Sequence, residues 1–240
     1  MPKRFWELDF ARGCAVLLMI IFNYAFALRF FGISEIVSGE FFWFWFPRFV
    51  GAMFISIAGI SLAISYARTG KKGIHGKYLR RGLSIFLLGM LITLATWAFV
   101  PHQAVLFGIL HLIGASVIMA PLFLRLGKWN VLLGLALTAA GIYLSGFSLD
   151  TPWLLWLGLQ PHGFATLDYF PLLPWFGIFL LGMAAGSALY KHGKRNFRIK
   201  ETKNLLASSM VFLGRNSLAI YLLHIPFLLV LLGALGFPLL

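Results

Sequence analysis

The sequence predicts an all-α fold, a polytopic integral membrane helix bundle of about seven transmembrane helices, from two observations. Hydrophobic residues make up 60% of the 240 residues and charged residues only 11%, which leaves too little polar surface for a water-soluble domain. The apolar runs are long, continuous and rich in Leu, Ile and Gly, as helices crossing a bilayer with about 20 residues each require. Membrane strands need alternating segments of about 10 residues, so helices are predicted throughout.

The first span is predicted at 7–32. We expect a membrane helix and not a signal peptide, because its amino-terminal flank is mixed in charge, its apolar part is long and further spans follow. A shorter apolar segment, 152–161, is bounded by prolines and is predicted to lie in the membrane interface. We expect one transmembrane domain over 1–240. The other predicted spans are 42–66, 82–100, 104–125, 129–148, 170–190 and 213–236.

The basic residues divide unequally between the two sides of this topology. Eighteen of the 20 fall on the amino-terminal side, and only Arg29 and Arg48 fall on the other. The positive-inside tendency therefore predicts a multi-pass protein of the cell membrane with a cytoplasmic amino terminus and an external carboxyl terminus. Topology explains most of the net charge of +13, so nucleic acid is not an expected partner. The single cysteine, Cys14, excludes an intrachain disulfide and a cysteine metal cluster.

Three polar side chains share one face of the first predicted helix. At about 100° per residue, Arg12 lies about 60° from Asp9, and Asn23 returns to within about 20° of Arg12, about 16 Å further along the axis. Ionisable groups in hydrocarbon normally face a bundle interior or a cavity, so these residues predict one wall of a polar shaft. Two simpler interpretations stay open: an Asp9–Arg12 ion pair, and an interhelical hydrogen bond from Asn23.

The last predicted span carries a second polar face. Ser217, Tyr221 and His224 stand at i, i+4 and i+7, and Pro226 loosens the backbone just beyond. His224 is expected near the middle of the membrane, about 12 Å along the helix from its polar start. It is a candidate catalytic base, with a neutral histidine held by a backbone carbonyl as the alternative.

The fourth predicted span contains another histidine in FGILHLIG. Gly108 and Gly114 flank His111 on its own face, so that another group can approach the ring closely. His111 is therefore the other candidate base, at a depth similar to that of Asn23. His102 and His162 are expected in loops, where a solvated histidine is the commoner case.

Asp168 is the candidate site residue of the long outer loop. It precedes two prolines and a tryptophan where the chain re-enters the membrane, in DYFPLLPWFGIFLLG, which suggests a shaped entrance. The alternatives are a cap on the helix that follows, or an ion pair with Arg29 or Arg48.

A basic segment, YARTGKKGIHGKYLRRG, is predicted as a cytoplasmic loop over 66–82. Basic side chains beside exposed backbone amides can bind phosphate, although anionic lipids would suit the same composition. The candidate phosphate-binding residues are Arg68, Lys71, Lys72, Lys77, Arg80 and Arg81.

Six segments in order carry a resemblance to a known family. They are RFWELDFARGCAVLLMIIFNY, GAMFISIAGISLAISYAR, YLRRG, FGILHLIG, DYFPLLPWFGIFLLGM and LGRNSLAIYLLHIP. The chain resembles the prokaryotic branch of the heparan-alpha-glucosaminide N-acetyltransferase catalytic-domain family. The resemblance implies transfer of an acetyl or other acyl group from cytoplasmic acyl-CoA to an acceptor on the far side, which in the lysosomal relatives is the amine of a terminal glucosamine.

The resemblance also implies roles for residues. Asn23 in FNY matches an active-site asparagine, and Arg12 and the basic segment match the donor-binding side, to which we add Tyr221. One departure is that the lysosomal relatives place a proposed catalytic histidine in the loop after the first span, whereas ALRFFGISEIVSGE contains none.

The sequence therefore predicts a membrane acyltransferase with acetyl-CoA as donor substrate and no metal. His111 is the expected general base, His224 its rival, and Asn23 the donor of a hydrogen bond to the oxyanion. The expected partners are acyl-CoA, a sugar or glycan acceptor with an amine or hydroxyl, the lipid bilayer and, as an open alternative, a second copy in a homodimer. A small-molecule or lipid transporter that uses the same polar shaft is the alternative function.

Overall fold

The computed structural model describes residues 4–33, 39–69, 73–200 and 204–237, and over these ranges the chain is all-helical, with two isolated backbone bridges and no strand. The predicted all-α class is confirmed over these ranges. The eight α-helices of the described ranges are α1 Trp6–Phe30, α2 Glu40–Thr69, α3 Ile74–Phe99, α4 Ile109–Phe123, α5 Trp129–Leu144, α6 Leu172–Leu189, α7 Leu205–Arg215 and α8 Ser217–Ala234.

Five of these helices, α1, α2, α3, α6 and α8, are long and apolar enough to cross a membrane. The helices α4 and α5 have 15 and 16 residues. At a rise of about 1.5 Å per residue they reach about 22–24 Å, short of a hydrocarbon core about 30 Å thick. The chain is thus a membrane protein by its helices, whereas the number of seven spans and the orientation of the termini stay predictions.

The largest differences from the sequence-based expectation lie at the start of α3 and around Asn216, where α7 also begins at Leu205, eight residues before the predicted start at 213. The third helix begins at Ile74 and not near 82, so that Lys77, Arg80 and Arg81 lie on its first turns and not in a loop. The last predicted span divides at Asn216, whose backbone is non-helical. There the Asn216 side-chain amide donates to the carbonyl of Phe212, a local bond that competes with a continuous helix.

The described chain forms two compact units. One unit comprises Met1–Phe54 and Ile199–Leu240, and the other comprises Ile55–Arg198. The boundary falls inside α2, after Phe54. The single domain over 1–240 stays a prediction.

In the first unit, α1 and α7 cross with their backbones in direct contact. A Cβ at Gly13 would overlap the carbonyl of Met210, and a Cβ at Gly214 would overlap the carbonyl of Asp9. Small residues at such crossings let two helices approach far more closely than larger side chains allow. The crossing brings the start of α1 against the end of α7, and Leu228 of α8 joins a small apolar core with α1 further along.

In the second unit, close approach of the same kind joins α3 to α4 and α5 to α6. Gly82 and Gly114 face each other at the first contact, and Gly134 and Gly177 at the second. Leu173 near the start of α6 is extended, so regular helix begins after it. These contacts fix α4, and with it His111, between its neighbours in the unit.

Candidate active site

Asn23 and His224 form a direct side-chain pair in the first unit. The Nδ2 atom of Asn23 lies 2.8 Å from Nε2 of His224. The other ring nitrogen, Nδ1, lies 2.7 Å from the carbonyl oxygen of Tyr221 and 3.2 Å from that of Ile220. Carbonyl oxygens only accept hydrogen bonds, so Nδ1 carries the hydrogen of the neutral ring and Nε2 presents its lone pair to the Asn23 amide.

The surroundings of this pair hold the histidine in one orientation. His224 is buried, and the Tyr24 hydroxyl donates to its backbone carbonyl at 3.2 Å. The predicted polar face of α8 is also its inward face, since Ser217 and Tyr221 are partly buried whereas Leu223 is exposed. The result is an imidazole whose lone pair points at Asn23 and whose N–H is fixed by the helix backbone.

Asp9 ties together two arginines from α1 and α7, also in the first unit. Its Oδ1 accepts from Nη1 of Arg12 at 3.1 Å, and its Oδ2 accepts from Nε of Arg215 at 3.3 Å. The Asp9 side chain is only 7% exposed, whereas that of Arg215 is 52% exposed. The structure therefore contains the Asp9–Arg12 ion pair that the sequence left open as an alternative, and Arg215 joins it as a third member.

His111 lies in the second unit and is almost fully buried. The backbone N–H of Gly108 donates to its Nδ1 at 3.2 Å. The neutral ring therefore carries its hydrogen on Nε2, which lies 3.4 Å from the hydroxyl oxygen of Thr93. That hydroxyl in turn donates to the carbonyl of Val105 at 2.5 Å. Both ring nitrogens are thus engaged by groups of the protein, and the lone pair faces a backbone amide.

Asp168 caps α4 and not the helix that follows it. Its Oδ2 accepts from the backbone N–H of Ile109 at 3.1 Å, at the first residue of α4. A Cβ at Gly108 would come within 3.2 Å of the carboxyl carbon, so only glycine leaves room for this contact. The expected cap on α6 is replaced by one on α4, a favourable place for an anion because the amides at a helix start are unpaired.

The segment between α5 and α6 is held by polar contacts of its own. The Tyr169 hydroxyl donates to the carbonyl of Leu155 at 2.6 Å, and burial raises the pKa of Tyr169 to about 12. Asp150 and His162 lie 2.8 Å apart on the surface, and the hydrogen bond from His162 lowers the pKa of Asp150. His162 is therefore a surface partner of Asp150, in line with the expectation of a solvated loop residue.

The basic residues around the start of α3 line an open groove in the second unit. Lys77, Arg80 and Arg81 border it with Gly73, Gly76 and Ser84, and its volume is about 550 Å³. Lys77 donates to the hydroxyl oxygens of Ser65 and Thr69 at 3.2 and 2.7 Å. Arg68 donates to the carbonyl of Gly193 at 3.0 Å. Lys71 and Lys72 lie outside the described residues.

Within each unit the structure brings some candidates together. Asn23 meets His224 in the first unit, and His111 and Asp168 meet the start of α4 in the second. Tyr24 and Arg215 were missed as site residues. Tyr24 stands beside Asn23 in FNY, and Arg215, in LGRNS, enters the sequence argument only as one of the eighteen basic residues on the amino-terminal side. Among the described residues no three His, Cys, Asp or Glu side chains meet at one point, and the prediction of no metal stays a prediction.

Comparison with known protein families gives a match over most of the chain. The model of the family described as heparan-alpha-glucosaminide N-acetyltransferase, catalytic, matches residues 4–226, nearly the whole chain. No curated protein matches, and no solved structure matches.

Proposed function

The chain belongs to the heparan-alpha-glucosaminide N-acetyltransferase catalytic-domain family, and on that premise we propose that it is a membrane acetyltransferase whose catalytic pair is Asn23 and His224. The donor is acetyl-CoA from the predicted cytoplasmic side. The acceptor is an amine or hydroxyl of a sugar or glycan on the other side.

The observation that carries this proposal is the contact between Nδ2 of Asn23 and Nε2 of His224. A general base needs an accessible lone pair, and its ring is held best when the other nitrogen donates to a fixed acceptor. His224 meets the second condition through the carbonyl of Tyr221. Asn23, which the family resemblance marks as an active-site residue, is the side chain that faces its lone pair.

The reaction needs one displacement at this pair. The hydrogen of the acceptor amine or hydroxyl takes the place of the Asn23 amide at Nε2 of His224 and is transferred to it. The acceptor nitrogen or oxygen then forms a bond to the thioester carbonyl carbon, and the carbon–sulfur bond breaks. The proton passes from His224 to the departing thiolate, giving free CoA. The released Asn23 amide donates a hydrogen bond to the developing oxyanion. One such donor typically raises the rate about 10²–10³-fold.

His224 is preferred to His111 as the base because of the direction of the lone pair. The lone pair of His111 accepts the backbone N–H of Gly108, and exchanging that partner would leave a buried amide unpaired. His111 acts in this proposal as a residue that holds the start of α4. Asp168 supports the same helix start.

The phosphates of the donor are assigned to basic residues of the predicted cytoplasmic side. Each unit offers such residues separately: Arg12 lies in the first unit, and the groove at the start of α3 lies in the second. Tyr221 is also proposed to contact the donor, because it lies on the inward face of α8. The proposed donor-binding residues are Arg12 and Tyr221 in the first unit and, separately, Arg68, Lys71, Lys72, Lys77, Arg80 and Arg81 in the second.

The proposal is tested with purified protein in detergent, acetyl-CoA and a panel of amino sugars and glycans. Free thiol is measured together with acetylated product. We expect turnover by the wild type and by His102→Ala, an exposed histidine that serves as control, and loss of turnover in Asn23→Ala and His224→Ala. Absence of CoA binding and of thiol release with every acceptor would contradict the proposal and favour a transporter.

A further inference from the structure

The buried carboxylate of Asp9 holds two guanidinium groups side by side at the α1–α7 crossing. Arg12 contacts Oδ1 and Arg215 contacts Oδ2. The three side chains together carry a charge of +1, because one anion is shared by two cations. A carboxylate that is nearly buried between two arginines fixes their positions and leaves the cluster positive.

Arg215 contacts Asp9 through Nε and not through its terminal amino groups. The far edge of a guanidinium held in this way carries the two nitrogens that recognise phosphate in a forked geometry. Its side chain is 52% exposed, so the packing of the helices leaves it open to a ligand. The neighbouring Gly214 packs on the backbone carbonyl of Asp9, which fixes the backbone from which Arg215 extends.

The start of α8 adds a second feature at the same place. Asn216 directly follows Arg215, and its side chain donates back to the carbonyl of Phe212. It therefore does not cap α8, whose first-turn amides begin at Ser217. The amides at a helix start favour an anion, and this start has no side-chain cap hydrogen bond and stands next to a positioned arginine.

We propose that Arg12, Arg215 and the first turn of α8 form a phosphate site, with Asp9 as its positioning residue. Resting on the proposed function, the ligand of this site is the diphosphate of the acyl-CoA donor. Neither Arg215 nor Asp9 belongs to the donor-binding residues assigned above. The site lies on the predicted cytoplasmic side, from which a charged donor would arrive.

The site is tested first with inorganic pyrophosphate as the probe. Thermal unfolding of the purified protein in phosphatidylcholine nanodiscs is followed with and without pyrophosphate at constant ionic strength. We expect the wild type to be stabilised, and Arg215→Gln to need about tenfold more pyrophosphate for the same shift. Arg125→Gln, which removes an exposed arginine in the other unit, is the charge-matched control and should behave as the wild type.

Arg215→Lys is the second variant, for use if Arg215→Gln does not fold. It keeps a positive partner for Asp9 but removes the paired guanidinium nitrogens that bind phosphate. A weaker pyrophosphate effect in this variant again supports the site. An unchanged pyrophosphate effect in both arginine variants, or none in the wild type, would overturn it.

A second arm identifies the ligand. CoA added to the wild type should reproduce the pyrophosphate shift and compete with it, and Arg215→Gln should weaken CoA about tenfold. If pyrophosphate binds as expected but CoA does not compete, the phosphate site stands and the proposed donor is wrong. If phosphatidylglycerol in the nanodiscs abolishes the pyrophosphate shift while CoA has no effect, the ligand is a lipid headgroup, which overturns the assignment to the donor.

Discussion

His224 and His111 are the same residue type in the same kind of surroundings, yet their ring nitrogens have opposite partners. Both are buried, with 7% and 1% of their surface exposed. In His224, Nδ1 faces backbone carbonyls and leaves the lone pair on Nε2 towards Asn23. In His111, Nδ1 receives a backbone N–H and leaves a hydrogen on Nε2 towards Thr93. In the proposed reaction, the partner of Nδ1 and not burial distinguishes the histidine that acts as base.

The largest expected effect separates these two histidines by activity. His224→Ala should lower kcat by about 10²–10⁴-fold, the range for loss of a general base. His111→Ala should keep most of the wild-type turnover per folded molecule. Steady-state kinetics of thiol release checks this, with turnover expressed per folded molecule. The reverse order of the two effects would assign the base to His111.

The next effect concerns the partner of His224. Asn23→Ala should lower kcat about 10²–10³-fold with a smaller change in KM, because its hydrogen bond to the oxyanion exists only in the transition state. Asn196→Ala, which removes an exposed amide that donates to the carbonyl of Ala188 in the other unit, is the control. Equal losses in the two variants would mean that Asn23 acts through folding.

Stability should reverse the order of the two histidines. His111→Ala removes two hydrogen bonds and leaves a cavity between α3 and α4, which should lower the free energy of unfolding by about 2–4 kcal/mol. Thr93→Val, which keeps the shape but removes the bond to the carbonyl of Val105, should lower it by about 1 kcal/mol. Unfolding in detergent followed by Trp fluorescence measures both. A larger loss in His224→Ala than in His111→Ala would contradict the comparison.

The cap on α4 gives a smaller effect of the same kind. Asp168→Ala should lower the free energy of unfolding by about 0.5–2 kcal/mol, because the N–H of Ile109 loses its acceptor. Asp168→Asn, which keeps an oxygen acceptor, should lose less. The two variants are compared in the same unfolding assay, and a loss in Asn as large as in Ala would show that the charge matters more than the hydrogen bond.

The smallest effect depends on pH. The pKa of Tyr169 is raised to about 12, so the folded protein keeps the phenol protonated where an unfolded tyrosine, with a pKa of about 10, ionises. Its contribution to stability is therefore complete below about pH 10 and is lost as the pH rises through about 12. Tyr169→Phe should unfold more easily than the wild type near neutral pH, and the difference in melting temperature should shrink above pH 10. A constant difference would contradict the raised pKa.

Much of the helical fold could be predicted from the sequence because hydrocarbon imposes long apolar helices. The polar face with Ser217, Tyr221 and His224 followed from helical geometry alone. The start of α3 could not be predicted from Gly73 and Gly76, which indicate a loop locally. The helix there includes Tyr78, whose burial comes from tertiary packing. The break at Asn216 was hidden for a different reason, since a local hydrogen bond from one side chain to the backbone divides an otherwise apolar run.

The candidate site was predictable as a set of residues and not as contacts. The partner of Asn23 lies 201 residues away in the chain, so only the packing of α8 on α1 brings His224 to it. The direction of the His111 lone pair depends on one backbone amide, which no spacing of side chains reveals. Arg215 was visible in the sequence as a positive charge, but its contact with Asp9 depends on two glycines at a helix crossing.

The contact of Gly13 with Met210 makes the first unit intolerant of a single added methyl group. A Cβ at Gly13 would force α7 away from α1 at a point ten residues before Asn23, because the methyl would meet backbone that cannot rotate aside. A shift of about 1 Å passed on to α8 would stretch a 2.8 Å hydrogen bond beyond useful length. Gly13→Ala would then lower activity although it removes no polar atom. Alanine is normally the mildest substitution in a helix, but it would be among the most damaging here.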